Sequence, residues 1–82
     1  MNEKKLITEN DTIFEIVTKY PAIKEKLLSI SPKFNRLNNP VLFNTVAKVT
    51  TVKKASAVAG IYLNELLYQL NDAVGLGKEF LE

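Results

Sequence analysis

Apolar residues recur along this chain at helical spacing, and proline, glycine or a capping residue breaks the pattern at short intervals. Ile13, Ile16, Val17 and Tyr20 fall at i, i+3, i+4 and i+7, one stripe of a helix. Thr12 stands before the stripe with Glu15 three places on, the arrangement of a capping box. Pro21 ends it, because proline disfavours helix at the residue before it and brings no amide donor. The same proline suits the first turn of a second helix. There Ile23, Leu27 and Ile30 face inward, Leu28 widens the stripe, and Lys24, Glu25 and Lys26 take the wet side.

Ser31-Pro32 then predicts a short helical or 3₁₀ turn to Leu37 that tucks Phe34 and Leu37 inward. Asn39-Pro40 starts a third helix, running to about Lys48, whose expected inner face is Leu42, Val46 and Val49, with Phe43 and Ala47 beside them. Its many β-branched residues suit a strand, but the spacing and the proline start favour helix. Thr51 caps a fourth helix with Val52, Ala55, Val58 and Ala59 inward and Gly60 as its left-handed stop. The fifth carries Leu63, Leu66, Leu67, Leu70 and Val74; Gly75 ends it, and Leu76 folds back on Leu70.

The pattern therefore predicts an all-α fold: one domain over residues 1–82, a compact array of about five short helices. Residues 1–10 form an extended N-terminal segment and residues 77–82 a tail. The expected core is Ile13, Ile16, Val17, Leu27, Ile30, Leu42, Val46, Ala55, Ala59, Leu63, Leu66, Leu67 and Leu70.

Composition narrows the chemistry. The 82 residues include no cysteine, histidine or tryptophan. That removes disulfides, thiol nucleophiles, imidazole bases and Cys/His metal sites. No uncharged run approaches the roughly 20 residues that span a bilayer, and no signal-peptide pattern is visible. The expectation is a cytoplasmic, unanchored protein.

Charge is unevenly spread. Between residues 21 and 60, six lysines and Arg36 face a lone Glu25; beyond residue 60, Lys78 faces Glu65, Asp72, Glu79 and Glu82. The middle is basic and the end acidic, which bears on partners more than on fold.

Three segments carry a family resemblance: Ile7-Thr8 through Asp11, Ile13 and Glu15-Ile16 to Tyr20-Pro21; Pro32-Lys33-Phe34 through Leu37 and Asn39-Pro40-Val41-Leu42 to Thr45-Val46-Ala47 and Val49; and Thr51-Val52 through Gly60-Ile61 to Glu65-Leu66-Leu67 and Leu70-Asn71. In these the chain resembles a bacterial family of small helical domains of unknown function. The resemblance implies stand-alone domains or attached modules, with a hemerythrin-like or PAS-type sensory protein as partner. A related branch, the hybrid-cluster-protein-associated redox disulfide domain, places a cysteine pair after the second helix. Here that stretch reads Ile30-Ser31-Pro32-Lys33-Phe34-Asn35, so the redox role does not carry over. Tyr62 stands where the family has an acidic residue before the last helix.

Residues 55–71 have a helix-turn-helix layout, but residues 61–77 hold no Lys or Arg for phosphates and base edges. Glu65 and Asp72 share a helix face without any sign of a pocket, and Ser31 and Ser56 have no base to activate them. No catalytic residue, metal ligand or cofactor is therefore expected, and the leading expectation is a non-enzymatic interaction or accessory module. A second copy or another protein would be its partner, with Leu76, Phe80, Leu81, Tyr62 and Tyr68 as apolar contacts. The alternative is an anion- or nucleic-acid-binding domain using Lys48, Lys53 and Lys54, with nucleic acid the less favoured ligand. A specific site is expected at the turn from Ser31 to Pro40. Two helical starts offer backbone amides there, and Ser31, Lys33, Arg36 and Asn39 would hold an anion or a partner's carboxylate.

Overall fold

Most of the helices begin where the chain supplies a cap. In the computed structural model, which describes residues 5–82, the capping box forms as expected. Thr12 Oγ1 accepts from the Glu15 amide at 3.1 Å, and Glu15 Oε1 accepts from the Thr12 amide at 3.0 Å. This opens α1 (Ile13–Lys19). Pro21, already in helical conformation, leads into α2 (Ala22–Ile30). Ser31 caps a 3₁₀ helix (Pro32–Asn38), Asn39 caps α3 (Pro40–Val49) and Thr51 caps α4 (Val52–Ala59). The next helix, α5 (Leu63–Ala73), starts after Tyr62 with no side-chain cap. No strand occurs among the described residues; Thr12 and Thr51 meet in an isolated antiparallel bridge.

Two glycines stop helices in the same way. Gly60 (φ 71°) and Gly75 (φ 84°) sit in the left-handed region that side chains disfavour. After α4, the Ile61 amide donates to the Ser56 carbonyl at 2.9 Å and the Gly60 amide to Ala57 at 3.3 Å. After α5, the Leu76 amide donates to Asn71 at 2.7 Å and the Gly75 amide to Asp72 at 3.0 Å. Both pairs are the crossed bonds of a Schellman motif. Beyond Gly75, where a tail was expected, the chain makes a further helix, α6 (Gly77–Leu81). Its Phe80 lies against Tyr68, ring centroids 6.4 Å apart.

The core is built on α2, α4 and α5. Ile23, Leu27, Val52, Leu66 and Leu70 are fully buried there. Ile7, Phe34, Ala47 and Val74 join them. Of the expected core, Ile30, Leu42, Ala59 and Leu63 are only half-buried, and Val46 is exposed. Val49 and Val58, expected on inner faces, are also exposed. For Leu42, Val46 and Val49 the reason lies in how α3 docks. It has apolar residues on two adjacent rows, and the row that turns inward carries Phe43 and Ala47. Phe43 packs on Phe14 of α1 at 5.1 Å, and the small Ala47 is buried one turn on.

Of the expected N-terminal segment, residues 1–4 lie outside the described residues. Within the rest, Ile7 is held by one polar side chain. Asn71, fully buried on α5, accepts from the Ile7 amide at 2.7 Å and donates to the Ile7 carbonyl at 3.1 Å. Its amide nitrogen also donates to the Leu67 carbonyl at 2.9 Å. Asn71 thus completes the backbone hydrogen bonding of a buried residue that belongs to no helix or sheet. Among the described residues no helix is long and apolar enough to cross a membrane.

Candidate functional site

A 3₁₀ helix repeats every three residues, so side chains at i and i+3 eclipse one another. Over Pro32–Asn38 this stacks Phe34 with Leu37 on the inner side and Lys33 with Arg36 on another. The consequence is a groove between the 3₁₀ helix, α3 and α4. Its walls are mainly Phe34, Leu37, Leu42, Val46, Ala47 and Val58, and Lys33 and Arg36 line it too. The cavity measures about 130 Å³. An apolar cavity of similar size holds a benzene ring, so this one takes a single aromatic or branched aliphatic side chain.

The surface beside the groove is apolar as well. Val41 and Val49 of α3 are 68% and 69% exposed, and Val58 across the groove is 63% exposed. Thr45 lies between the two valines at i+4 spacing, and its hydroxyl donates to the Val41 carbonyl at 2.7 Å. With that oxygen turned to the backbone, the threonine leaves its methyl to the surface. The result is a row of Val41, Thr45 and Val49 next to the row of Leu42 and Val46 that enters the groove.

The four residues expected around the Ser31–Pro40 turn divide into two pairs. Ser31 is buried, and its Oγ accepts from the Lys33 amide at 3.2 Å. Asn39 Oδ1 accepts from the amides of Val41 at 2.9 Å and Leu42 at 3.3 Å. The helix-start amides that favour an anion are therefore already met by these two side chains. Lys33 and Arg36 are exposed and come together at the groove. Lys33 Nζ donates to the Val58 carbonyl at 3.1 Å, near the end of α4. A cation suits a helix C-terminus, and an ammonium has two further donors to offer.

The second basic set lies on the end of α3 and the first turn of α4. Lys48 Nζ lies 4.8 Å from the Phe14 ring centre, a cation–π contact. Lys53 pairs with Glu9 at 4.0 Å, both well exposed, a contact worth little in water. Lys54 is exposed on the first turn of α4. The carboxylates Glu65 and Asp72 of α5 are exposed. Glu15 is held below the usual carboxylate range, first by the Thr12 amide and then by the Thr12 hydroxyl.

The residues that sequence reasoning passed over are Val41, Val46, Val49 and Val58 as surface, and Asn71 as a buried clamp. A signal for Asn71 exists: it lies four residues after Leu67 and beside Leu70, inside the apolar stripe of α5. A polar residue in such a place is either an error of the pattern or a buried hydrogen-bonding group.

These features define a small all-helical domain with an uncovered apolar face and a basic-edged groove. The chain belongs to the family described as domain of unknown function DUF1858, whose model matches residues 7–67. The match opens at the clamped Ile7 and runs through the groove into the first half of α5, leaving Asn71 and α6 beyond it. No curated protein and no solved structure matches the chain.

Proposed function

We propose that this domain is a non-enzymatic interaction module that works in the cytoplasm by docking another polypeptide on α3 and its groove. The observation that carries the reading is the uncovered apolar row of α3 beside a cavity sized for one side chain. An anchor residue in a pocket, ringed by weaker contacts that exclude water, is how small interfaces concentrate their energy. Lys33 and Arg36 add a preference for an acidic partner. A hemerythrin-like or PAS-type sensory protein is the partner class that the family resemblance suggests.

The test is a titration with an amphipathic helical peptide carrying one leucine or phenylalanine flanked by glutamates, followed by backbone amide shifts. Shifts at Val46, Ala47 and Val58 are expected, and Val46→Asp should abolish them while leaving the melting temperature within a few degrees. Shifts elsewhere only, or binding that survives Val46→Asp, would refute the reading. A second reading, anion or nucleic-acid binding, draws on the exposure of Lys48 at the end of α3 and of Lys53 and Lys54 at the start of α4. It predicts binding to generic DNA that falls steeply with salt and is lost in Lys53→Glu/Lys54→Glu.

A further inference from the structure

The groove lies in the basic part of the chain, and the acidic part ends in a surface of matching chemistry. Leu81 of α6 is 70% exposed. It stands between Glu79 and Glu82, while its neighbour Phe80 is held against Tyr68. Packing of Phe80 on Tyr68 fixes α6 to its own domain, while Leu81 stays largely in solvent. A large aliphatic side chain flanked by carboxylates is what the groove is built to take: a cavity of about 130 Å³ with Lys33 and Arg36 beside it. Arg36 can grip a carboxylate with two hydrogen bonds.

We infer that two copies of this chain associate by reciprocal exchange, Leu81 of each entering the groove of the other with Glu79 and Glu82 toward Lys33 and Arg36. This rests on the proposed docking role of the groove and names its occupant. Reciprocity closes the assembly at two, whereas one-way insertion would leave an open chain. Pairing α3 faces directly is the other symmetric arrangement. It would bring the basic residues of the two grooves toward each other, so charge disfavours it. Lys78, on α6 itself, takes back part of the acidic charge. The contact is small, so the dimer belongs to the weak, transient class and forms at high micromolar to millimolar protein.

Sedimentation equilibrium of the full chain at low salt, up to about 1 mM, tests this. The expected result is a reversible dimer that salt weakens. Arg36→Glu should weaken it by about tenfold or more, because the reversal acts in both grooves. Glu79→Lys/Glu82→Lys should do the same, and Lys78→Glu should strengthen it. The decisive arm is a mixture of a Lys33→Glu/Arg36→Glu chain with the Glu79→Lys/Glu82→Lys chain. In the mixed dimer each groove faces a tail of opposite charge, so the mixture associates where each variant alone does not. These residues are on the surface, and far-ultraviolet circular dichroism confirms that the variants fold. A wild-type chain that stays monomeric at 1 mM, or a mixture that does not associate, overturns the inference. If the wild type is monomeric yet the glutamate-flanked peptide shifts Val46 and Val58, the docking role stands and only its occupant is wrong. If neither happens, both fall.

Discussion

Replacing Asn71 by alanine removes three hydrogen bonds from a site that is fully buried. The loss is unequal among them. The Leu67 carbonyl lies inside α5 and keeps its helical partner. The Ile7 amide and carbonyl have no ladder to fall back on. Left in place and unpaired, each costs about 1–3 kcal/mol, or about 2–6 kcal/mol together. The chain has a second option, which is to lift the N-terminal segment off and expose Ile7. That costs about 1.5–3 kcal/mol in lost burial, partly offset by the freedom the segment regains. The cheaper route sets the result, so Asn71→Ala should destabilise by about 1–3 kcal/mol. A domain of this size has about 4–12 kcal/mol in total, so the effect is large. Urea unfolding measures it, and hydrogen exchange at the Ile7 amide shows which route is taken. Lifting predicts fast exchange at Ile7 and a double variant with Ile7→Ala that is scarcely worse than either single one. A loss below about 0.5 kcal/mol with the Ile7 amide still protected would refute the reasoning. Asn71→Asp sharpens the point, since its carboxylate can accept from the Ile7 amide but faces two carbonyl oxygens. Its pKa should rise in the folded state, so the variant is closest to wild type below about pH 4 and loses stability as pH climbs.

Other substitutions should follow the same physics. Glu15 has its pKa lowered by the bonds from Thr12, so its contribution is present above the unfolded carboxylate pKa and is lost as pH falls through the folded one; Glu15→Gln should flatten that part of the acid titration of stability. Gly60→Ala and Gly75→Ala each force a side chain into the left-handed region and should cost about 1–2 kcal/mol by urea unfolding. Leu66→Ala empties a site with no exposure and should cost about 2–5 kcal/mol. Val49→Ser, on the exposed row of α3, should leave stability within about 0.5 kcal/mol while weakening any contact made through that face.

The local signals in the sequence were the readable ones. Thr12 with Glu15, Ser31-Pro32, Asn39-Pro40 and Thr51 act over three or four residues, and each starts a helix as expected. Gly60 and Gly75 act over a single turn and end helices as expected. What periodicity could not settle was the face of α3. Leu42 and Val46 form one apolar row, and Phe43 with Ala47 the next; only the docking of Phe43 on Phe14 decides between them. The groove was hidden for the same reason, since its exposed valines look like core until α3 is oriented. Lys33 and Arg36 were legible as a charged pair, but Ser31 and Asn39 were not separable from them. Capping and ligand binding use the same side-chain oxygens, and only the observed hydrogen bonds tell them apart.

The bridge between Thr12 and Thr51 carries a consequence for the order in which the chain acquires structure. The Ile13 amide donates to the Thr50 carbonyl at 2.8 Å, and the Val52 amide donates to the Asp11 carbonyl at 2.9 Å. Each of these is the first amide of its helix, a donor with no partner inside that helix. The start of α1 is therefore completed by the start of α4, and the reverse, across about forty residues of intervening chain. A seven-residue helix is too short to persist alone in water. During synthesis α1 leaves the ribosome first, yet its closing partner emerges only with Thr50 and Thr51. Until then α1 can pack on α2 and α3, but its start lacks the bond that completes it. Once α4 arrives, loop closure and both helix starts are gained in one step, so folding should show a single kinetic phase rather than a helix-by-helix build-up.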